Sequence, residues 1–156
     1  MDDTCIILIA DDNPDDVLLV QMAFKKAGIG CTLMVVSNGA EAAQYLKGEG
    51  PYADRQRFSA PHALLLDLKM PVMGGLELLA WVRSWPQGKN LPIIVLTNSC
   101  YDSDITAAYR LGANSFLVKP TDFQEFTFAV TQMADYWLHG GKVPHGSPFI
   151  PPPAPP

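Results

Sequence analysis

Polar residues stand where the short apolar runs of this sequence end, and their side chains are those that metal and phosphoryl chemistry uses. The runs at 6–10, 64–66, 93–96 and 116–118 are followed by Asp11 and Asp12, by Asp67, by Thr97 and by Lys119. Neighbouring carboxylates repel one another unless a cation joins them, and an all-oxygen donor set suits a hard ion such as Mg²⁺. The three acidic positions therefore predict a divalent-metal site.

The other end-of-run residues predict what such a site could do. Beside a cation, an aspartate can act as a nucleophile toward phosphorus, because phosphoryl transfer mostly requires positioning and neutralisation of the phosphoryl oxygens. A lysine supplies a point charge to one oxygen and a threonine hydroxyl a hydrogen bond to another, which leaves the third to the metal. Asp67 is thus the candidate phosphoacceptor, assisted by Thr97 and Lys119.

These residues can act together only if the apolar runs are neighbouring strands of one sheet. Each run is continuous, rich in Ile, Leu or Val and too short for a buried helix, which is typical of strands buried on both faces of a parallel sheet. In such sheets ligands bind beyond the carboxyl ends of the strands. A partly alternating run at 32–36 predicts one further strand.

Helical patterns separate these strands. Asn13 can cap the first helix, Pro14 fits its first position, and Asp15 and Asp16 are interpreted only as acids that favour the positive helix end. Helices are predicted at 14–27, 40–47, 76–84, 103–111 and 122–138. Strand and helix then alternate five times, which predicts an α/β fold with a doubly wound parallel sheet and helices on both faces.

The last predicted helix has more apolar surface than one buried stripe requires. Its core-facing residues are expected to be Phe123, Phe126, Val130, Met133 and Trp137. Phe128 lies off that face, and surface of this kind often marks an interface. We therefore expect a homodimer through the fourth helix, the fifth strand and the fifth helix.

Length and composition predict a single domain at 1–140, followed by a proline-rich tail at 141–156 that is expected to be extended or disordered.

The segment 48–61 lacks periodicity and is long for a connection between two elements. We interpret it as a functional loop or a tolerated insertion, with the insertion favoured.

Charge and cysteine content bear on partners and compartment. A net charge of −5 with scattered basic residues argues against direct DNA binding. No signal peptide or membrane-length apolar stretch is apparent, so we expect a cytoplasmic protein without membrane partners. Cys5, Cys31 and Cys100 are odd in number and widely spaced, and they are interpreted as unpaired thiols rather than as a disulfide framework or a zinc site.

The residues that carry the chemistry resemble the receiver domain of bacterial two-component response regulators over about residues 4–138. In that family an acidic pair ends the first strand, the phosphoacceptor Asp the third, Thr or Ser the fourth, and Lys before Pro the fifth. The matching positions here are Asp11-Asp12, Asp67, Thr97 and Lys119-Pro120, and the string LLLDLKMPVMGGLELL is also similar.

The resemblance implies further features. The sheet is expected to be flavodoxin-like and CheY-like, with strand order 2-1-3-4-5. The backbone carbonyl of Lys69 is expected to contact the metal, and Thr97 with Phe116 to form the conformational switch, Phe116 replacing a more usual Tyr. Asn98 stands where the family commonly has Ala or Gly, so altered rates of phosphorylation and dephosphorylation are expected.

The same resemblance implies a single-domain regulator rather than an enzyme. Such a regulator takes a phosphoryl group from a sensor histidine kinase onto Asp67 in a Mg²⁺-dependent reaction. It then signals by a conformational change. The strings ADDNPDDVLLVQMAF and VLTNS look like stand-alone regulators paired with bacterial phytochromes. Output is expected through a partner that binds the switch surface or through a His phosphotransfer protein, and the sequence does not choose between them.

Other interpretations fit the residues less well. An aspartyl-nucleophile phosphatase of the haloacid dehalogenase type needs an Asp two residues after the nucleophile, and Lys69 occupies that place. A phosphorylation-independent receiver module usually lacks some of the acidic or lysine positions, which are all present here. Neither a Walker loop nor GxGxxG follows the first strand, which argues against nucleotide binding.

Overall fold

Strands and helices alternate along the chain in the computed structural model, which describes residues 5–99, 101–139 and 149–150. The strands are β1 (Cys5–Ala10), β2 (Cys31–Val36), β3 (Ala63–Leu66), β4 (Ile93–Thr97), β5 (Ser115–Val118) and β6 (Phe149–Ile150). The helices are α1 (Pro14–Lys26), α2 (Gly39–Lys47), α3 (Gly75–Ser84), α4 (Asp102–Arg110) and α5 (Phe123–His139). Every predicted strand and helix is present, with ends within two residues of the predicted ones.

The first five strands form a parallel sheet in the order β2-β1-β3-β4-β5, which confirms the predicted α/β architecture. A sixth strand was not predicted. β6 pairs antiparallel with β5, with Phe149 opposite Leu117 and Ile150 opposite Phe116. The rest of the predicted tail, 141–148 and 151–156, lies outside the described residues.

Two apolar layers hold the sheet in place because alternate residues of each strand point to opposite faces. On one face Leu8, Leu64 and Val95 pack with α2, α3 and α4. On the other face Ile9 and Leu65 pack with α1 and α5. Burial on both faces explains why these strands are continuous apolar runs. Parallel pairing places the carboxyl ends of β1, β3, β4 and β5 at a common edge.

The interpretation of the cysteines as unpaired thiols is wrong for Cys5 and Cys31, which form a disulfide. The two residues are direct partners in the parallel register of β1 and β2, and their Cα atoms lie 4.6 Å apart. A cysteine count cannot show this proximity, because strand register brings together residues that are distant in sequence. Cys100 lies outside the described residues.

The segment 48–61 packs against α2. It begins with a 3₁₀ turn at Gly50–Tyr52, and the rings of Tyr52 and Phe58 contact the ring of Tyr45. Arg55 Nη2 donates to the carbonyl of Leu46 at 2.6 Å. The segment is therefore packed against α2 by aromatic contacts and a hydrogen bond.

None of the described helices is long and apolar enough to span a membrane.

Candidate functional site

Backbone hydrogen bonds just beyond the strand ends bring the acidic residues together. The Asp11 N–H donates to the Val36 carbonyl at 3.1 Å, and the Asp67 N–H donates to the Ala10 carbonyl at 2.9 Å. Asp11 and Asp67 are buried, Asp12 is exposed, and one carboxylate oxygen from each lies within 4.8 Å of the others. The three predicted metal ligands therefore share one small volume.

Lys119 projects into this acidic group from the end of β5. Its N–H donates to the Thr97 carbonyl at 2.8 Å, which fixes the start of the β5–α5 loop beside the end of β4. Its ammonium lies 2.9 Å from Asp11 Oδ2 and 3.4 Å from Asp67 Oδ2, and its side chain is only 5% exposed. The predicted phosphoacceptor and the predicted lysine are thus in direct contact.

Thr97 and Asp67 lie together at the wall of an open cavity of about 280 Å³. The cavity is lined by Asp67, Lys69, Thr97, Asn98, Ser99 and Tyr101. Thr97 is buried, and its Oγ1 accepts a hydrogen bond from the Ser99 N–H at 3.4 Å. A group bound at Asp67 therefore has room on the Thr97 side, with the exposed Asn98 at the rim.

Asp16 also belongs to the site, and the interpretation of this residue as only a first-turn acid is incomplete. Its Oδ2 accepts from Lys119 Nζ at 2.9 Å. Asn13 caps α1, with its Oδ1 accepting from the N–H groups of Asp15 and Asp16, and this turn directs Asp16 toward Lys119. An acidic residue is expected in the first turn of a helix in any case, so nothing further in the sequence indicates that Asp16 contacts Lys119.

Burial and charge act in opposite directions on the ionisable groups. Burial raises the pKa of Asp11, an effect that the Asn13 N–H and the Lys119 ammonium oppose and the Asp67 charge reinforces. For Lys119, burial lowers the pKa, but the hydrogen bonds to Asp11 and Asp16 and the charge of Asp67 outweigh it, so the pKa lies above the ordinary lysine value. Lys119 is therefore held as an ammonium.

The donor chemistry of this edge fits a divalent cation. Among the described residues, three carboxylates contact the Lys119 ammonium, those of Asp11, Asp16 and Asp67. Asp12 adds a fourth carboxylate beside Asp11 and Asp67, so the group keeps an excess of negative charge. Hard oxygen donors with an exposed member, Asp12, give both the ligand type and the access that Mg²⁺ or Mn²⁺ requires. The contact from the Lys69 carbonyl stays a prediction.

Phe116, the predicted switch aromatic, is fully buried in the layer formed with α4. Its backbone pairs with Val95 on one side and with Ile150 of β6 on the other. Phe116 therefore lies between the site-bearing strand β4 and the segment that covers the edge of the sheet.

Comparison with known proteins agrees with this geometry. The family model of the response regulator receiver domain matches residues 7–131. Response regulator Rcp1 of Synechocystis sp. is 32% identical over 139 residues, which cover 89% of this chain and 92% of Rcp1. The structure of its Mn²⁺-bound form has a TM-score of 0.77 and covers 90% of this chain and 99% of that one.

Two further solved structures have the same fold. The phosphorylated cyanobacterial phytochrome response regulator RcpA has a TM-score of 0.80 at 32% identity, covering 90% of this chain and 99% of that one. Response regulator RPA3017, in red light signaling of R. palustris, has a TM-score of 0.83 at 31% identity, covering 90% of this chain and 98% of that one. With the matched family model and the shared fold, this chain belongs to the response regulator receiver domain family.

Proposed function

We propose that this receiver domain accepts a phosphoryl group on Asp67 from a sensor histidine kinase, in a Mg²⁺-dependent reaction. The observation that carries the proposal is the position of Asp67, which contacts Lys119 and lines an open cavity together with Thr97. A phosphorylation-independent binding module would need neither this contact nor the acidic group beside it.

The reaction is a transfer between two side chains. A carboxylate oxygen of Asp67 attacks the phosphorus of a phosphohistidine, and the new P–O bond forms as the P–N bond breaks, with the imidazole leaving as the electron-pair acceptor. Lys119 Nζ, 3.4 Å from Asp67 Oδ2, is within reach of one phosphoryl oxygen, and Thr97 faces the cavity that holds another. Mg²⁺ bound by Asp11, Asp12, Asp67 and the Lys69 carbonyl would supply the remaining positive charge.

Phosphorylation would reach the surface through the wall of the same cavity. A phosphoryl group adds roughly −1.5 to −2 charge, which favours movement of the Thr97 hydroxyl toward it. Ser99, two residues on, donates from Oγ to the carboxylate of Asp104 on α4. Movement of this loop would therefore pull on α4. Phe116, which is fully buried in the same layer as α4, is the aromatic residue that we expect to rotate inward with this movement.

The similarity to the cyanobacterial phytochrome response regulator RcpA supports a bacterial phytochrome as the kinase. We propose that both proteins lie in the cytoplasm. Onward transfer to a His phosphotransfer protein is an alternative output to a partner that binds the switch surface. The homodimer through α4, β5 and α5 also stays a proposal. Phe128 supports it, because this large apolar side chain is 53% exposed on α5.

Intact-mass analysis after incubation with acetyl phosphate tests the main proposal. We expect one added phosphoryl group in the presence of Mg²⁺, and none in EDTA or in Asp67→Asn. An adduct that forms equally without Mg²⁺, or on the Asp67→Asn protein, would contradict it. Equilibrium sedimentation tests the dimer separately, and a monomer alone at tens of micromolar would rule it out.

A further inference from the structure

Lys119 has three carboxylate partners, and one of them lies outside the acidic group that fits a metal. The ammonium donates to Asp11 Oδ2 at 2.9 Å, to Asp16 Oδ2 at 2.9 Å and to Asp67 Oδ2 at 3.4 Å. A lysine ammonium has three N–H donors, so each donor has one acceptor here. The metal-fitting group comprises Asp11, Asp12 and Asp67, so Asp16 is the partner that lies outside it.

Asp16 is also held on a different structural element from the other two partners. Asp11 and Asp67 follow strands, whereas Asp16 lies in the first turn of α1, where the Asn13 cap fixes its backbone. Its side chain is 19% exposed, more than that of Asp11 or Asp67, so Asp16 is the most exposed of the three partners. The Lys119 ammonium thus has ionic partners both at the carboxyl edge of the sheet and in the first turn of α1.

We propose that Asp16 is a positioning residue that holds the Lys119 ammonium at the phosphoryl site. This inference rests on the proposed function of Asp67 as phosphoacceptor. When Asp67 carries a phosphoryl group, one of its carboxylate oxygens is in the new P–O bond, so the donor that pointed to Asp67 turns to a phosphoryl oxygen. Asp16 keeps its own N–H donor throughout, and it holds the ammonium beside Asp67.

A matched pair of variants separates this role from general effects of charge. Asp15 and Asp16 are adjacent acids in the same helical turn, but only Asp16 forms an ion pair with Lys119 among the contacts of the described residues. Asp16→Asn and Asp15→Asn remove the same charge from the same helix end and keep the side-chain volume. We expect the initial rate of Asp67 phosphorylation by acetyl phosphate at saturating Mg²⁺ to fall about fivefold in Asp16→Asn and less than twofold in Asp15→Asn.

The effect of Asp16→Asn on the phosphorylation rate should depend on Lys119, which distinguishes positioning of the ammonium from a purely structural role. In a Lys119→Met background, Asp16→Asn should change the phosphorylation rate no further, because the group it positions is absent. Equal rates for Asp15→Asn and Asp16→Asn, or an undiminished Asp16→Asn effect in the Lys119→Met background, would overturn the inference. Asp16→Glu, which keeps the charge, is expected to recover part of the lost rate.

The failure of this inference and that of the proposed function give different results. If the wild-type protein acquires no phosphoryl group, the phosphoacceptor proposal fails and the role of Asp16 falls with it. If the wild-type protein is phosphorylated on Asp67 and Asp16→Asn behaves as Asp15→Asn does, only the positioning role fails. Urea unfolding of each variant shows whether a rate loss comes from loss of folded protein.

Discussion

Two adjacent glycines after the phosphoacceptor differ in what surrounds them, and this difference makes a sharp prediction. The Gly75 N–H donates to the Leu68 carbonyl at 3.0 Å, which draws the start of α3 onto the end of β3. A Cβ added at Gly75 would lie 2.7 Å from the Cα of Leu68 and closer still to the carbonyl oxygen of Asp67. Because these are backbone atoms, the loop itself would have to move.

The cost can be worked out from two opposing contributions. Alanine gains up to about 1 kcal/mol over glycine in a helix. Overpacking a tight contact costs about 1–3 kcal/mol, and here no flexible side chain can absorb it. We expect Gly75→Ala to lower the free energy of unfolding by about 2 kcal/mol. Displacing the Asp67 backbone should also slow phosphorylation by about tenfold, since misplacement by 1 Å can cost about a hundredfold.

Gly74→Ala is the matched control. Gly74 has φ −76°, which any residue adopts, and an added Cβ there would meet only the Leu68 carbonyl oxygen, at 3.4 Å. Its unfolding free energy should change by less than about 0.5 kcal/mol. Urea unfolding and intact-mass phosphorylation kinetics of both variants provide the comparison. If Gly75→Ala behaves as Gly74→Ala does in both assays, the reasoning from backbone crowding is refuted.

Four other outcomes are expected. Arg83 donates to the carbonyls of Gly88, Leu91 and Gly112 and to Asn114 Oδ1, so Arg83→Met should lower the unfolding free energy by about 3 kcal/mol in urea without slowing phosphorylation of the folded protein. Val72 has φ 66° and is exposed, so Val72→Asn should raise the melting temperature by the equivalent of about 1 kcal/mol. Burial raises the pKa of Asp11, so its stabilising contribution is complete below pH 3.8 and is lost as pH rises through the raised value. Asp11→Asn should therefore gain stability relative to wild type as the pH rises above 3.8 in EDTA, and a stability difference in urea that does not change with pH would refute this. The Cys5–Cys31 disulfide spans 26 residues, so oxidation should stabilise the wild type by about 3 kcal/mol over the reduced protein, a difference that Cys5→Ser should abolish.

The sheet and most of the site were predictable because each depends on a local pattern. Residues 64–66 lie in a continuous apolar run that is too short for a buried helix, and they form a strand as predicted. The polar residues that follow the strands predicted that Asp67 and Lys119 would meet at one edge of the sheet, where they are in contact. The positions of Asp11, Asp12 and Asp67 within 4.8 Å of one another confirm that these carboxylates converge. Their roles as metal ligands and phosphoacceptor stay predictions that the experiments above address.

What the sequence missed depends on register and on side-chain direction. Cys5 and Cys31 become partners only once β1 and β2 pair in a particular register. Asp16 contacts Lys119 because the Asn13 cap sets the rotation of the first turn of α1. β6 comprises only Phe149–Ile150, too short for a periodic pattern to predict, and it forms because the edge of β5 has free backbone groups to pair.

The two ends of the parallel sheet carry opposite kinds of interaction, and this separates stability from function. At the carboxyl end, buried Asp11 and Asp67 share one ammonium, and burial raises the pKa of Asp11, so that its ionised form costs free energy that a bound cation could offset. At the amino end, Arg83 joins the segments before β4 and β5, and a disulfide joins β1 to β2. Neutralising Asp11 should therefore remove activity while preserving or raising stability. Substitutions at the second end should do the reverse, because no group there touches the reacting atoms.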